Sequence, residues 1–215
     1  MLKVARLALI LALCGRGLAA QDLAQLCQAA SHVTVGQWAS YAVRAGQDSG
    51  AQLRFAVVSS EQHGDSTLYW FEIKHVSTTK PANNGVVQML VPGFGAQLVA
   101  VRALIAKGAA TPAMRLPDQM ATMLTEQVWK SNPALDIAMR CTSAKTVGWE
   151  KIAVPAGSIR ALHVADAGGD EAWRAQDIPF GLVKVRIKEG SEMALVAHGT
   201  DAQSSITETP LPMGP

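Results

Sequence analysis

The first half of the chain alternates apolar and polar residues with a period of two, which is typical of half-buried strands. The segment "STLYWFEIKHVS" is the clearest case, because it places Tyr69, Phe71 and Ile73 on one face and Glu72 and Lys74 on the other. The segments "VGQWASYAVRA" and "AQLRFAVVSSE" also predict strands, and "VVQMLVP" predicts a strand that is apolar on both faces for most of its length. The segments "GQDSG" and "KPANNG" supply turn formers. Four consecutive strands are predicted.

The last third predicts a second run of short strands. Its segments are "TVGWEKIAV", "IRALHVADA", "EAWRAQ", "GLVKVRIK" and "MALVAHG", separated by the turns "PAGS", "DAGGD" and "EGSE". In "GLVKVRIK" the apolar residues share one face and the basic residues the other, which is expected to be solvated. Short turns between sequential strands predict an antiparallel meander.

The motif Asp-Ile-Pro-Phe-Gly precedes one of these strands. Pro179 lacks an amide hydrogen for a ladder, so it is expected at a strand start or edge. Phe180 and Gly181 are then expected to turn the chain into a strand that begins at Leu182. Trp173, on the preceding strand, is expected near Phe180, and an ordinary core contact is favoured over a ligand contact.

Two segments have helical periodicity. Leu23, Leu26, Cys27 and Ala30 predict a short N-terminal helix in "QDLAQLCQAASH". The segment "PDQMATMLTEQVWKSNP" predicts a longer one, with Asp118 as N-cap and with an apolar stripe formed by Met120, Met123, Leu124 and Val128. The stripe favours packing on the sheet; a second interpretation is a movable cover over a lipid site, since methionine adapts to variable apolar ligands.

Residues 96–108, "AQLVAVRALIAKG", fit both a helix and a strand. We favour a strand because Gly and Pro bracket the segment and β-branched residues are frequent. The predicted fold class is therefore α+β: a mostly antiparallel, curved, half-barrel-like sheet with one N-terminal and one covering helix. We predict a single domain over 21–202 and a flexible tail over 203–215, which holds three prolines and no periodicity.

Residues 1–20 have the layout of a secretory signal peptide. Lys3 and Arg6 precede an apolar run from Leu7 to Leu13, and small residues around Ala19 and Ala20 offer a cleavage site. The run is shorter than the ~20 residues that span a bilayer, and no later segment predicts a transmembrane span. Leu13 is too large for a lipidation site at Cys14. We expect a soluble periplasmic or secreted protein.

Charge and cysteine content change when the signal is removed. The whole chain has 19 Lys plus Arg against 17 Asp plus Glu; loss of Lys3, Arg6 and Arg16 leaves 16 against 17. A net charge near −1 gives no reason to expect a nucleic-acid partner. Cys27 and Cys141 remain, and an even pair in an oxidising compartment favours a disulfide over two buried thiols.

No catalytic, metal or cofactor motif is present. There is no GxSxG elbow, "VPGFGAQ" lacks the third glycine of a dinucleotide fingerprint, and the five histidines are far apart in sequence. We therefore predict no catalytic residue, no metal ligand and no cofactor, and expect that the protein is not an enzyme.

The predicted architecture resembles the LolA/LolB-like lipoprotein-localisation superfamily: an N-terminal helix, an antiparallel meander, a Met- and Leu-rich helix and a secretion signal. The segments "VGWEKIAVPAGSIRALHV" and "AWRAQDIPFGLVKV" also resemble secreted bacterial proteins in which a "VPAG" turn and a Trp followed by "VPFGLVK" recur; Ile178 stands where that pattern has Val. The resemblance implies a curved sheet around an apolar cavity that binds acyl chains, with helices as a lid.

Two functional hypotheses follow. The first is an exported protein that binds a lipid or lipoprotein acyl chain. Its candidate cavity residues are Tyr69, Phe71, Ile73, Met120, Met123, Leu124, Trp173 and Phe180. The second is a non-catalytic structural or interaction domain of the cell envelope whose core is filled by its own side chains, as the abundance of small Ala and Val favours.

Overall fold

The structure is a computed structural model that describes residues 34–44, 50–94, 100–130 and 144–213, together with Gln25, Leu26 and His32. Within these residues it contains twelve strands and one bounded α-helix. The first six strands are β1 Trp38–Arg44, β2 Ala51–His63, β3 Ser66–Ser77, β4 Gly85–Val91, β5 Ala103–Gly108 and β6 Met114–Leu116. Helix α1, Asp118–Lys130, follows.

The remaining strands lie in the last third of the chain. They are β7 Lys145–Val154, β8 Gly157–Ala165, β9 Glu171–Arg174, β10 Leu182–Arg186, β11 Glu192–Gly199 and β12 Leu211–Pro212. Short 3₁₀ turns occur at Pro81–Asn83 and Pro179–Gly181. The strands predicted by alternation are confirmed, and the ambiguous segment is a strand over Ala103–Gly108; residues 95–99 lie outside the described part.

All twelve strands form one sheet in the order β12-β6-β5-β4-β3-β2-β1-β11-β10-β9-β8-β7. Every pairing is antiparallel except that of β12 with β6. Strand β1 joins two meanders, since Tyr41 faces Leu53 on β2 and Leu195 on β11. We call β1–β6 the N-terminal half and β7–β11 the C-terminal half. The short turns of the sequence account for this hairpin order.

One face of the sheet, which we call the inner face, carries Tyr41, Phe55 and Phe71. At the tip of the β7–β8 hairpin, the Ala156 amide donates to the Leu195 carbonyl of β11 at 3.0 Å, although β9 and β10 separate β8 from β11 in the sheet. Apolar side chains of the hairpin pack on the inner core. The C-terminal half therefore curls over the core that both halves share.

The helices agree with the prediction only in part: two were predicted, and within the described residues the structure gives a start and an end for one, α1. Of the predicted N-terminal helix, the structure describes Gln25 and Leu26; both are helical and Leu26 is buried. Cys27 and Cys141 lie outside the described residues, so their disulfide stays a prediction. No helix in the described part of the chain is long and apolar enough to cross a bilayer.

Residues 203–213, for which we predicted a flexible tail, lie against the sheet. Ile206 is buried on the outer face of the sheet, and Leu211–Pro212 forms β12 beside Met114 and Arg115 of β6. The Ser205 amide donates to the Glu72 carboxylate at 2.9 Å. Prolines remove the periodic signal from this segment, but they do not prevent it from packing as an extended chain against a sheet that is already formed.

Candidate functional site

Five aromatic rings fill the middle of the inner face: those of Tyr41, Phe55, Phe71, Phe94 and Phe180, all buried. The Phe180 ring lies at the centre of the group, with ring centroids 4.8 Å from Phe94, 5.5 Å from Phe71 and 6.2 Å from Phe55. These separations fall in the range that aromatic pairs prefer. The rings therefore occupy the part of the interior in which the sequence predicts a ligand cavity.

The Phe180 ring reaches this position on an unfavourable backbone. Its φ is 64° and its ψ 3°, and among the residues that the structure describes it is the only non-glycine residue with positive φ. A bulky side chain in this region costs on the order of 1–3 kcal/mol. Main-chain bonds hold the turn: Gly181 donates to the Ile178 carbonyl at 2.8 Å, and Ala175 donates to the Gly181 carbonyl at 3.1 Å.

The expected role of the Pro-Phe-Gly motif is confirmed, because the Pro179–Gly181 turn leads directly into β10 at Leu182. Polar groups anchor both sides of this turn. An Arg174 Nη2 donates to the Phe180 carbonyl at 3.4 Å, and the Tyr41 hydroxyl donates to the Leu182 carbonyl at 3.1 Å.

Arg174 places a cation in the apolar interior, since its side chain is 0% exposed. Burial lowers the pKa of Arg174 to about 10, while the nearby Tyr41 acts in the opposite direction. Burial also raises the pKa of Tyr41 above its usual value. At neutral pH the guanidinium is therefore charged and the phenol neutral, so the inner face carries a fixed positive charge beneath the Phe180 turn.

A cavity of about 290 Å³ opens beside the turn, between Phe180 and the end of β11. Leu26, Ile178, Pro179 and Phe180 form its apolar wall. The other lining side chains are polar: His32, Gln37, Gln176, Asp177, His198 and Thr200. Its volume is at the low end of the range for small-molecule sites, which is ~300–1,000 Å³. An apolar wall with a polar rim suits an amphiphile.

The candidate residues on β3 face the interior but do not line this cavity. Phe71 belongs to the buried core, and Tyr69 and Ile73 pack against it while remaining partly buried. The predicted common face of the three is therefore confirmed, and their expected contact with a ligand stays a prediction. Phe180 is the candidate residue that does line the cavity.

The candidate residues on α1 point away from the interior. Met120, Met123 and Leu124 are 42%, 66% and 44% exposed, whereas Ala121 and Thr125 are buried. These three residues of the predicted stripe therefore do not face the interior, the Val128 side chain lies outside the described part, and contact of the stripe with a ligand stays a prediction. Among the helix side chains that the structure describes, Ala121 packs against the inner core, and the buried Thr125 hydroxyl donates to the Ala121 carbonyl within the helix at 2.8 Å.

Trp173 also departs from the expectation, since it does not join the ring of Phe180. Its ring stacks on His163 with centroids 4.4 Å apart, and Lys184 lies over it at 5.6 Å. Arg174, the next residue of β9, points into the interior instead. Successive side chains of a strand point to opposite faces, so Trp173 lies on the outer face.

Sequence reasoning missed the polar rim of the cavity and Arg174. Ala172 and Arg174 lie two residues apart on β9 and therefore share a face, which is a signal that alternation offers. The rim had no such signal, because His32, Asp177 and His198 come from three distant parts of the chain. In the described residues no three His, Cys, Asp or Glu side chains are grouped so as to hold a metal ion.

Comparison with known proteins gives only distant similarities. No family model matches the chain, and no curated protein matches it. A candidate lipoprotein from Parabacteroides distasonis ATCC 8503 aligns with 10% identity and a TM-score of 0.39, covering 77% of this chain and 96% of that one. A candidate exported protein with a YmcC-like fold from Bacteroides fragilis NCTC 9343 aligns with 9% identity and a TM-score of 0.37 over the same shares. Both scores are low, so we draw no inference about function from either structure.

Proposed function

We propose that this protein is an exported, non-enzymatic binding protein of the cell envelope that takes the acyl chain of a lipid or lipoprotein at the cavity beside Phe180. The observation that carries the proposal is the composition of that cavity. Its inner wall is apolar and continuous with the aromatic interior through Phe180, and its rim is polar. An amphiphile bound there would place its chain on the wall and its head group among the rim side chains.

Apolar contact with the cavity wall would add to the affinity of an acyl chain. Burial of apolar surface contributes about 0.8 kcal/mol per CH₂ group, so even a few methylenes on the Ile178–Phe180 wall add usable affinity. The rim offers both donors and acceptors, such as the amides of Gln37 and Gln176 and the imidazoles of His32 and His198. These groups would orient the head without binding it covalently.

The primary test is whether the protein carries or takes up an acyl chain. Protein purified from the periplasm should release lipid that mass spectrometry identifies, and it should bind a dodecanoyl chain that carries a fluorophore. The fluorophore without the chain is the control ligand. If no lipid is released and the probe does not bind, the proposal is abandoned.

A variant pair tests the location of the site. His198→Trp on the exposed side of β11 should fill part of the cavity without disturbing the core. Exclusion of about two methylenes would weaken probe binding roughly tenfold. Ser60→Trp, on the exposed end of β2, is the matched control and should bind like the wild type. Equal affinities for both variants would place the probe elsewhere.

Export is supported by the basic, apolar and small regions of residues 1–20. Intact-mass measurement of the protein from the producing cell should give a mature N-terminus at Ala20 or Gln21. Recovery of the full chain with Met1 from the cytosol would contradict export and leave the binding proposal standing.

The second candidate function is a structural or interaction domain with a filled core. Close packing of Phe55, Phe71, Phe94 and Phe180 favours it, because these rings leave their part of the interior occupied. This alternative predicts that the wild type binds no acyl probe at all. The lipid and probe measurements therefore separate the two functions directly.

A further inference from the structure

We propose that the space now held by the Phe180 ring, between Phe55, Phe71 and Phe94, is the acyl-chain subsite, and that Phe180 is a plug which the ligand displaces. The inference rests on the proposed function and adds a location and a mode of entry to it. The ligand class is an unbranched alkyl chain, which is slender enough to follow a ring into its pocket.

Phe180 is the only residue of the aromatic group that also borders the cavity. Its ring touches the three other phenylalanines on one side and the open space on the other. Removal of this single side chain would therefore join the cavity to the interior. A chain that enters past Ile178 would meet the aromatic surface of Phe55, Phe71 and Phe94.

The backbone beneath the Phe180 ring is better suited to movement than the backbone beneath Phe55 and Phe71. Phe55 and Phe71 lie within the ladder of β2 and β3, where Phe55 pairs with Ile73 and Phe71 with Val57. Phe180 lies instead in a three-residue turn, at φ 64°, and is followed by Gly181 at φ 66°. Return of Phe180 to an ordinary conformation would relieve strain and swing the ring outward.

Two of the bonds that close the turn are long. Gly181 donates to the Ile178 carbonyl at 2.8 Å and Ala175 to the Gly181 carbonyl at 3.1 Å, but the bond from Ile178 to the Ala175 carbonyl is 3.5 Å and that from Arg174 to the Phe180 carbonyl is 3.4 Å. Aromatic packing favours the closed state, and backbone strain opposes it. A ligand that binds only the open state would shift this balance, which is the requirement for a displaceable plug.

The test compares probe binding by Phe180→Gly and Phe71→Ala, measured by stopped-flow fluorescence with the dodecanoyl probe. Both variants remove one ring from the same cluster, but only the first removes the plug and tolerates positive φ. If the wild type is open about one tenth of the time, Phe180→Gly should bind about tenfold more tightly, with faster association. Phe71→Ala should show no such acceleration.

A second measurement needs no variant. Hydrogen exchange of the wild type should show faster exchange at the Gly181 amide when the probe is bound, because displacement of the ring breaks its bond to Ile178. Phe180→Asn, which also tolerates positive φ, replaces the glycine variant if that one does not fold.

The outcomes separate this proposal from the proposed function. Faster and tighter binding by the plug variant, together with exchange at Gly181, supports the subsite. Binding by the wild type with equal rates in both variants and unchanged exchange at Gly181 overturns the plug alone. No binding by the wild type or by either plug variant overturns both proposals.

Discussion

Trp70 in the N-terminal half and Trp173 in the C-terminal half lie on the outer face of the same sheet, and the chain buries them in different ways. The two indoles make the same polar contact: Trp70 donates to Glu61 at 2.6 Å, and Trp173 donates to Glu150. Both rings are almost fully buried. What covers each ring, however, differs in kind.

The outer face of the N-terminal half is covered by a segment of chain. Residues 200–213 cross it, and Ile206 packs into a cluster formed by Leu68, Trp70, Val86, Leu90, Ala103, Ile105 and Ala113. Within this cover, Glu72 is 0% exposed and accepts bonds from the Gln88 amide at 2.8 Å and the Ser205 amide at 2.9 Å. The cover is therefore largely apolar, and both of these hydrogen bonds end on the same Glu72 oxygen, Oε2.

The outer face of the C-terminal half is covered by charged side chains. Lys184 and Arg186 lie over the Trp173 ring at 5.6 and 5.5 Å, and each pairs with a glutamate, Glu192 and Glu171 respectively. Their alkyl stems exclude water while their charges stay at the surface. The apolar cover should therefore make a large contribution to the free energy of unfolding that does not depend on salt. The charged cover should make a small contribution, and salt should reduce it.

The largest effect is expected when the apolar cover is broken. Ile206→Asp should lower the free energy of unfolding by about 3–5 kcal/mol, because removal of a buried Ile side chain alone costs about 2–5 kcal/mol and a charge is placed against Trp70. Denaturant unfolding followed by tryptophan fluorescence measures the change. Leu211→Asp, at an exposed position of the same segment, is the control and should cost little. Equal losses would contradict the comparison.

A smaller loss is expected at the buried carboxylate. Glu72→Ala leaves the Ser205 amide without its acceptor, whereas the Gln88 amide keeps the Ser204 hydroxyl as a second acceptor at 2.8 Å. The change also removes the ion-pair partner of Arg54, whose Nη1 lies 3.6 Å away. Unsatisfied buried donors cost about 1–3 kcal/mol each. Thermal melting and hydrogen exchange at Ser205 are the measurements. Glu189→Ala, in an exposed turn, is the control; an unchanged Ser205 exchange rate in the Glu72 variant would show that the carboxylate does not hold the segment.

The sequence predicted the sheet well because strands leave a local signal. In β3 the period of two placed Tyr69, Phe71 and Ile73 on one face, and the structure agrees. It could not predict the apolar cover, because the bond between Ser205 and Glu72 joins residues 133 positions apart. Ile206 lies in a proline-rich segment that has no hydrophobic periodicity from which its burial could be predicted.

At the candidate site the sequence predicted the position of Pro179 in the turn, but it did not predict the cavity beside that turn. Pro179 predicted the turn into β10. The left-handed backbone conformation of Phe180 could not be predicted, because bulky residues avoid that conformation. On α1 the helical spacing of the larger apolar side chains predicted that the face with Met120, Met123 and Leu124 packs on the sheet, but these side chains are exposed. Close approach to the sheet selects small residues, so Ala121 is buried and Met123 exposed.

Mutation of the charged cover should lower the free energy of unfolding by a small amount that depends on salt. Arg186→Ala removes the ion pair with Glu171 and the cation over Trp173, which together contribute on the order of 1 kcal/mol at low salt. The loss should shrink in about 1 M NaCl, where charges are screened within ~3 Å. Lys151→Ala, an exposed position on β7, is the control. A loss that does not change with salt would show that Arg186 acts through its alkyl stem alone.

The smallest expected effect concerns the pH dependence of the apolar cover, through Glu208. This carboxylate accepts from the Lys107 ammonium at 2.5 Å and the Ala113 amide at 3.3 Å, and the bond from Lys107 lowers the pKa of Glu208 from 4.5 to about 2.

Because the folded-state pKa lies below the unfolded value, the contribution of Glu208 to stability is fully present above pH 4.5 and is lost as the pH falls toward 2. The Leu211 and Met213 amides bond to the carbonyls of Ala113 and Arg115, so their protection from hydrogen exchange, relative to the intrinsic rate at each pH, should fall on acidification. The fall should be larger in dilute buffer than in high salt, because the ion pair is largely solvated. Glu208→Gln should exchange faster than the wild type at neutral pH and match it at the acidic end. If the two proteins keep the same difference across this range, the segment is held by Ile206 and β12 alone, and the N-terminal cover owes nothing to charge.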